Sequence, residues 1–152
     1  MLLSSFYLAP VEYYSVFFRA SSTVIEVYEN YQKQSYRNRC NIVGANGSMA
    51  LSIPVEKPSA VKCRMKDVRI ADHGNWRHLH WNAIVSAYSS TPFFEYYADE
   101  LQPFYEKRIP FLVDFTLQLH ELNCGWLRIE LPTNLSPEYV AEIPEGVADH
   151  RE

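Results

Sequence analysis

The first third of the chain places apolar and polar residues in short blocks, and residues 76–123 repeat them with a helical period. Residues 2–8 form an apolar run that reads as a short buried strand. Ala9-Pro10 breaks it, and Pro10 suits the entry to a helix over residues 11–20. Ser21-Ser22 ends that helix, and residues 23–28 alternate like a second strand. Strand, helix, strand is the βαβ pattern, so the two strands are expected to run parallel through a right-handed crossover. Ligands on such units collect at the carboxyl ends of the strands, here Ala9-Pro10 and Glu29-Asn30.

Two β-rich runs follow, residues 36–43 and 48–55, joined by Gly44-Ala45-Asn46-Gly47. The Asn-Gly pair supplies the positive φ angles of a tight hairpin. Residues 56–59 read as a loop. Residues 61–70 alternate apolar Val61, Cys63 and Met65 with basic Lys62, Arg64 and Lys66, the pattern of an edge strand with gatekeeping charges. Asp72-His73-Gly74-Asn75 is a turn, with Asn75 placed to cap a helix over residues 76–90. A helix over residues 93–101 follows Thr91-Pro92, and Pro103 marks a turn. Residues 111–123 carry the clearest amphipathic stripe, Leu112, Phe115, Leu119 and Leu122, with Gly125 as C-cap. Residues 132–152 are proline-rich and acidic without periodicity, and are expected as an extended or poorly ordered tail. The predicted fold is α/β (α+β): one domain over residues 1–131, a mixed sheet with an N-terminal βαβ unit and a β-hairpin, covered by C-terminal helices.

Composition narrows the class. With 152 residues, 47% hydrophobic, 21% charged and a net charge of −4, the chain suits one folded domain. This balance argues against disorder and against a partner nucleic acid held by bulk positive charge. Three well-separated cysteines, Cys40, Cys63 and Cys124, suggest neither a disulfide framework nor a closed zinc site. The opening MLLSSFYLAP lacks a basic flank and is too short for a signal peptide, and no run approaches a membrane span. The expected location is the cytoplasm. No Gly-rich phosphate loop, GxSxG elbow, HExxH or dinucleotide fingerprint is present, so the sequence names no cofactor and points to no metal.

Candidate chemistry concentrates in two segments. Residues 30–39, NYQKQSYRNR, hold Lys33, Arg37 and Arg39 and no acid. On an extended strand Arg37 and Arg39 would share a face, and two guanidinium forks suit a phosphate or carboxylate. Asn30 and Gln32 add hydrogen-bonding groups, and Lys57 could add charge. The alternative is a solvated loop whose arginines pair with the chain's own acids. In residues 72–81, DHGNWRHLHW, helical geometry separates the histidines. His78 lies with Asn82, Ser86 and Ser89 on the polar face, whereas His80 falls among Trp76, Ala83, Ile84 and Ala87. His80 is therefore either a satisfied core residue or an acid-base group facing a cleft. Asp72 could orient an imidazole or start the turn.

The runs SSFYLAPVEYY, ENYQKQSYRNRCNI, LSIPVEK and WRHLHWNAIVSAYSSTPFFE resemble the WbqC-like family. Pro10 and Tyr14 fit its opening pattern, with Ser5 and Tyr13 standing where the family has Gln and Gly. Asn30, Lys33, Tyr36, Asn38 and Arg39 take the places of its Gln, Lys and Trp-x-Asn-Arg. Trp76, His80, Tyr88 and Pro92 keep its Trp-x3-His-x7-Tyr-x3-Pro spacing. The resemblance implies a bacterial surface-polysaccharide (O-antigen) context and an acyl or glycyl transfer to a sugar. On it, His80 is the acid-base group. Arg37, Arg39 and Lys33, with Lys57, hold the anionic part of a nucleotide-sugar or activated acyl donor. Tyr13, Asn30 and Trp76 line the pocket. The other reading is a non-catalytic protein that binds or scaffolds such an anionic metabolite. Relatives of this type continue past the position of Arg151, which implies either a truncated form or the absence of a C-terminal strand-like segment.

Overall fold

The computed structural model describes residues 1–57 and 62–151. Its elements, in chain order, are β1 (Leu2–Ser4), α1 (Val11–Arg19), β2 (Val24–Glu26), β3 (Arg39–Gly44), β4 (Gly47–Ser52), a 3-10 turn (Met65–Asp67), α2 (Trp76–Tyr88), α3 (Phe94–Glu106), α4 (Leu112–Leu127), β5 (Asn134–Leu135) and β6 (Asp149–His150). The fold is α+β. A four-stranded sheet in the order β5-β2-β1-β6 is parallel throughout, and β3 and β4 form a separate antiparallel hairpin.

The βαβ expectation holds: β1 pairs parallel with β2, Leu3 opposite Ile25, across α1. The first strand is shorter than the apolar run because the chain leaves the sheet at Ser5. Tyr7 then enters a different packing layer. The segment expected as an extended tail adds β5 beside β2 and β6 beside β1.

Helix α4 explains how two sheets make one body. Leu112, Phe115 and Leu119 face a cluster built with the hairpin, α2 and α3. Val113 and Cys124 face a second cluster with Leu3, Ile25 and the α1 residues Tyr13, Tyr14 and Phe17. A helix apolar on more than one stripe belongs between layers, and α4 occupies that position. Thr116, fully buried, returns its hydroxyl to the Leu112 and Val113 carbonyls and meets Ser5 Oγ at 2.5 Å.

Four local expectations are corrected. Residues 61–70 do not form an edge strand. Their described part contains the 3-10 turn and isolated bridges, Asn30 with Arg64 and Val55 with Ile70, while Val61 lies outside the described residues. The alternation there buries Met65 and Val68 (0% and 2% exposed) from a turn rather than a pleat. Helix α3 runs through Pro103 to Glu106. Pro103 removes one helical donor, yet continuing the helix buries Tyr105, which anchors its last turn. Gly125 is interior to α4. The left-handed cap is Arg128 (φ 54°), whose amide donates to the Cys124 and Gly125 carbonyls. In the hairpin the positive φ falls on Gly47 (105°) and not on Asn46. Asn75 stands at the N-cap of α2 as expected, but in a left-handed conformation and without a side-chain cap bond.

Candidate functional site

The carboxyl ends of the parallel strands are lined with polar side chains. Glu26, the last residue of β2, is fully buried, and its carboxylate accepts bonds from the Tyr28 amide, the Ser136 hydroxyl and the Val140 amide. Three donors on two carboxylate oxygens satisfy a group that would otherwise be costly to bury. They also tie the chain after β5 to the end of β2.

Glu29 follows on the same side and receives Arg37. The guanidinium is bidentate, Nε to Oε1 at 2.9 Å and one terminal nitrogen to Oε2 at 2.6 Å. That terminal nitrogen also donates to Ser4 Oγ and to the Arg151 carbonyl. Arg37 is 2% exposed, so Arg37 and Arg39 do not present two open forks side by side. β3 begins only at Arg39, and the chain before it turns Arg37 inward. Beyond β6, Arg151 makes a second bidentate pair with Asp149 (2.8 and 2.9 Å) and donates to the Val140 carbonyl. The guanidinium beside it holds the Asp149 carboxyl below its ordinary range.

Two polar cavities open beside these pairs. The first, about 420 Å³, sits at the strand ends and is lined by Glu29, Asn30, Gln32, Arg37, Tyr139, Asp149, His150 and Arg151. The second, about 510 Å³, is lined by Phe6, Gln32, Gln34, Ser35, Tyr36, Arg37, Arg39 and Asn41. Gln32 and Arg37 form the wall between them. Carboxylates line the first cavity and none lines the second. Arg39 is exposed on the outer face of β3 and makes no ion pair among the described residues.

His80 occupies a different environment. It is 6% exposed, and its Nδ1 lies 3.0 Å from the Tyr7 hydroxyl, which in turn meets the Tyr105 hydroxyl at 2.9 Å. Trp76 packs edge-on against the imidazole. Burial pulls the His80 pKa down to about 4, a backbone hydrogen bond to Ser52 offsetting part of that. The ring is neutral at pH 7 with Nδ1 engaged by Tyr7, and it lines neither polar cavity. His78 points the other way, exposed and 2.9 Å from Asn82. Asp72 bonds no imidazole: it pairs with Arg77 at 2.6 Å and with Arg108.

The remaining predicted residues scatter. Asn30 lines the strand-end cavity. Tyr13 is buried in the sheet-side cluster, its hydroxyl donating to the Ser4 carbonyl. Lys33 and Lys57 are exposed and line neither polar cavity. Trp76 is buried, its indole N–H has no partner among the described residues, and it borders a third cavity with Asp72, Arg77 and Arg108. The two sequence segments thus do not meet in one of these cavities. They meet through Tyr7, whose amide donates to the Tyr36 carbonyl of the first segment while its hydroxyl holds His80 of the second. Glu26, Tyr139, Asp149, His150 and Arg151 were not anticipated. All but Glu26 lie in the tail, and only the rule that ligands gather at strand ends could have pointed to Glu26.

The protein is an α+β fold whose parallel sheet carries paired guanidinium–carboxylate groups and polar cavities at its carboxyl edge, a candidate binding site. The chain belongs to the WbqC-like protein family, whose family model matches residues 5–148. No curated protein and no solved structure matches the chain. No helix among the described residues is long and apolar enough to cross a membrane.

Proposed function

We propose that the protein is a cytoplasmic transferase that moves an acyl, glycyl or related group onto a sugar in bacterial surface-polysaccharide synthesis. The observation that carries this reading is the pair of adjoining polar cavities with unlike chemistry. The cavity with unpaired Arg39, Ser35 and three side-chain amides suits the anionic part of a donor, a nucleotide-sugar or activated acyl group. The neighbouring cavity offers the Glu29 and Asp149 carboxylates, the Asn30 amide and the Tyr139 ring. Carboxylates and amides accept and donate to sugar hydroxyls, and an aromatic face packs on a pyranose ring. Arg37, in the shared wall, borders both.

On this reading His80 is a positioning residue acting through Tyr7, and His150 is the imidazole lining the acceptor cavity. An imidazole there suits proton transfer to or from a sugar hydroxyl. Family membership supports the polysaccharide context.

A thermal-shift titration with nucleotide-sugars, sugar phosphates and activated acyl donors tests it, since a ligand bound only by the folded state raises the melting temperature. Arg39→Ala is expected to abolish the shift by the true donor. His150→Gln is expected to keep that shift and lose turnover. Unchanged donor binding in Arg39→Ala overturns the assignment. A second reading, a non-catalytic binding protein for the same anionic metabolite, is favoured by the pairing of Glu29 with Arg37 and of Asp149 with Arg151, which leaves neither carboxylate of that cavity free as a base. It predicts the same binding with no product formed.

A further inference from the structure

A cavity larger than either polar one lies on the other side of Asn41. It measures about 800 Å³ and is framed by α1, β3, α2, α3 and α4, with Tyr14, Ile42, Phe94, Leu101 and Trp126 among its walls. None of its lining residues is charged. A space of this size with apolar walls and few polar groups is the usual form of a small-molecule site. Its rim is apolar too, with Val11 82%, Phe18 67% and Leu127 53% exposed. A ligand polar along its length would leave hydrogen bonds unmet along these walls.

Asn41 lines this cavity and also the Arg39 cavity. Arg39 and Asn41 stand on the exposed face of β3, whereas Cys40 and Ile42, which line the apolar cavity together with Asn41, turn to the other. The segment preceding α1 runs alongside, Phe6 in the polar cavity and Leu8 and Ala9 in the apolar one. The uncharged hollow therefore adjoins, at Asn41, a cavity holding a guanidinium with no ion pair among the described residues. We propose that these adjoining cavities bind an anionic amphiphile, its linear hydrocarbon chain in the apolar cavity and its phosphate or carboxylate head on Arg39. This rests on the reading of the Arg39 cavity as the anion site, and it narrows the donor to one carrying a hydrocarbon chain.

The test is calorimetric titration, below the micellar range, with decyl phosphate, octyl phosphate, decanol and inorganic phosphate. Each methylene moved from water into the cavity tightens binding by up to about fourfold. Decyl phosphate is expected to bind more tightly than octyl phosphate, and at least tenfold more tightly than decanol or phosphate. Arg39→Ala should reduce decyl phosphate to the level of decanol. Ala98→Trp, which fills the apolar cavity from the half-buried face of α3, should remove chain-length dependence while the melting temperature holds. Phosphate binding as tightly as decyl phosphate would leave the anion site standing and overturn the chain site. Decanol binding as tightly as decyl phosphate would overturn the head assignment. A concentration-dependent dimer abolished by Ala98→Trp would give the apolar face to a second copy instead, and overturns the proposal as well.

Discussion

The Tyr7 hydroxyl lies 3.0 Å from His80 Nδ1, and the two rings stack with centroids 5.7 Å apart. With Nδ1 as the acceptor the Tyr7 hydroxyl donates to the neutral ring. Tyr7 can then accept from Tyr105, and every member of the chain is satisfied with His80 neutral. His120 is also held at a pKa of about 4 by burial, among Tyr13, Tyr14 and Phe17.

A pH dependence follows from these two depressed imidazoles. Well above pH 6.5 neither the folded nor the unfolded chain protonates them, and their contribution vanishes. As pH falls below about 6.5 the unfolded chain takes up protons that the folded one refuses until about pH 4. Stability should fall across that window, by at most about 2 kcal/mol per ring at pH 5, and level off below it. Denaturant unfolding at pH 7.5 and 5.0 measures this. His80→Gln and His120→Gln should each flatten the slope, His80→Gln keeping an acceptor for Tyr7. A slope unchanged in both variants refutes the assignment.

The buried Arg37–Glu29 pair should be strongly coupled. Removing one partner leaves the other charge buried and alone, typically costing 3–5 kcal/mol. Glu29→Ala and Arg37→Ala are each expected to fall in that range. Arg37 should cost the more, because it also holds Ser4 and the Arg151 carbonyl. The double variant should recover part of the loss in a mutant cycle. Additive losses would mean that the two side chains act independently.

Why some of this was legible and some not depends on the range of each interaction. The βαβ unit, the hairpin and the α4 stripe are carried by local periodicity, and the Leu112, Phe115 and Leu119 face is buried as its spacing indicates. Strands of two residues such as β5 and β6 have no period to detect, and their pairing joins Leu2 to Asp149 across nearly the whole chain. The basic segment looked free of acids because the partner, Glu29, lies one residue before it. Helical phase did separate His80 from His78. It could not say whether a cavity or the Tyr7 ring would meet His80, since Tyr7 comes from a distant part of the chain.

Glu26 and Ser136 should control the order of the strand-end cavity. The carboxylate holds Ser136 and the Val140 amide, and Ser136 Oγ also accepts from the Val27 amide. Ser136→Ala removes two of these bonds and is expected to cost about 1–3 kcal/mol. Glu26→Gln replaces one acceptor oxygen with a donor facing the donors it must receive. In both variants amide hydrogen exchange should quicken across residues 134–142 and remain slow in α4. Equal acceleration in α4 would mean that the tail does not open as a separate unit.

The cysteines should separate by reactivity. Burial pushes the Cys40 thiol up to about 12 and, helped by the Glu121 charge, Cys124 up to about 11. At pH 8 about one thiol in a thousand or fewer at either site is the reactive thiolate. Cys124 lies 3.5 Å from His120 Nε2, a spacing that suggests a Cys-His nucleophile. The two pKa values are displaced in the directions opposite to those an ion pair requires, thiol up and imidazole down, so the pair is neutral and inert. Cys63 is only half-buried. A disulfide exchange reagent at pH 8 should therefore modify one thiol readily in the native protein and the other two only on unfolding. Rapid native modification of Cys124, located by peptide mapping, would show an activated thiolate and refute the neutral pair.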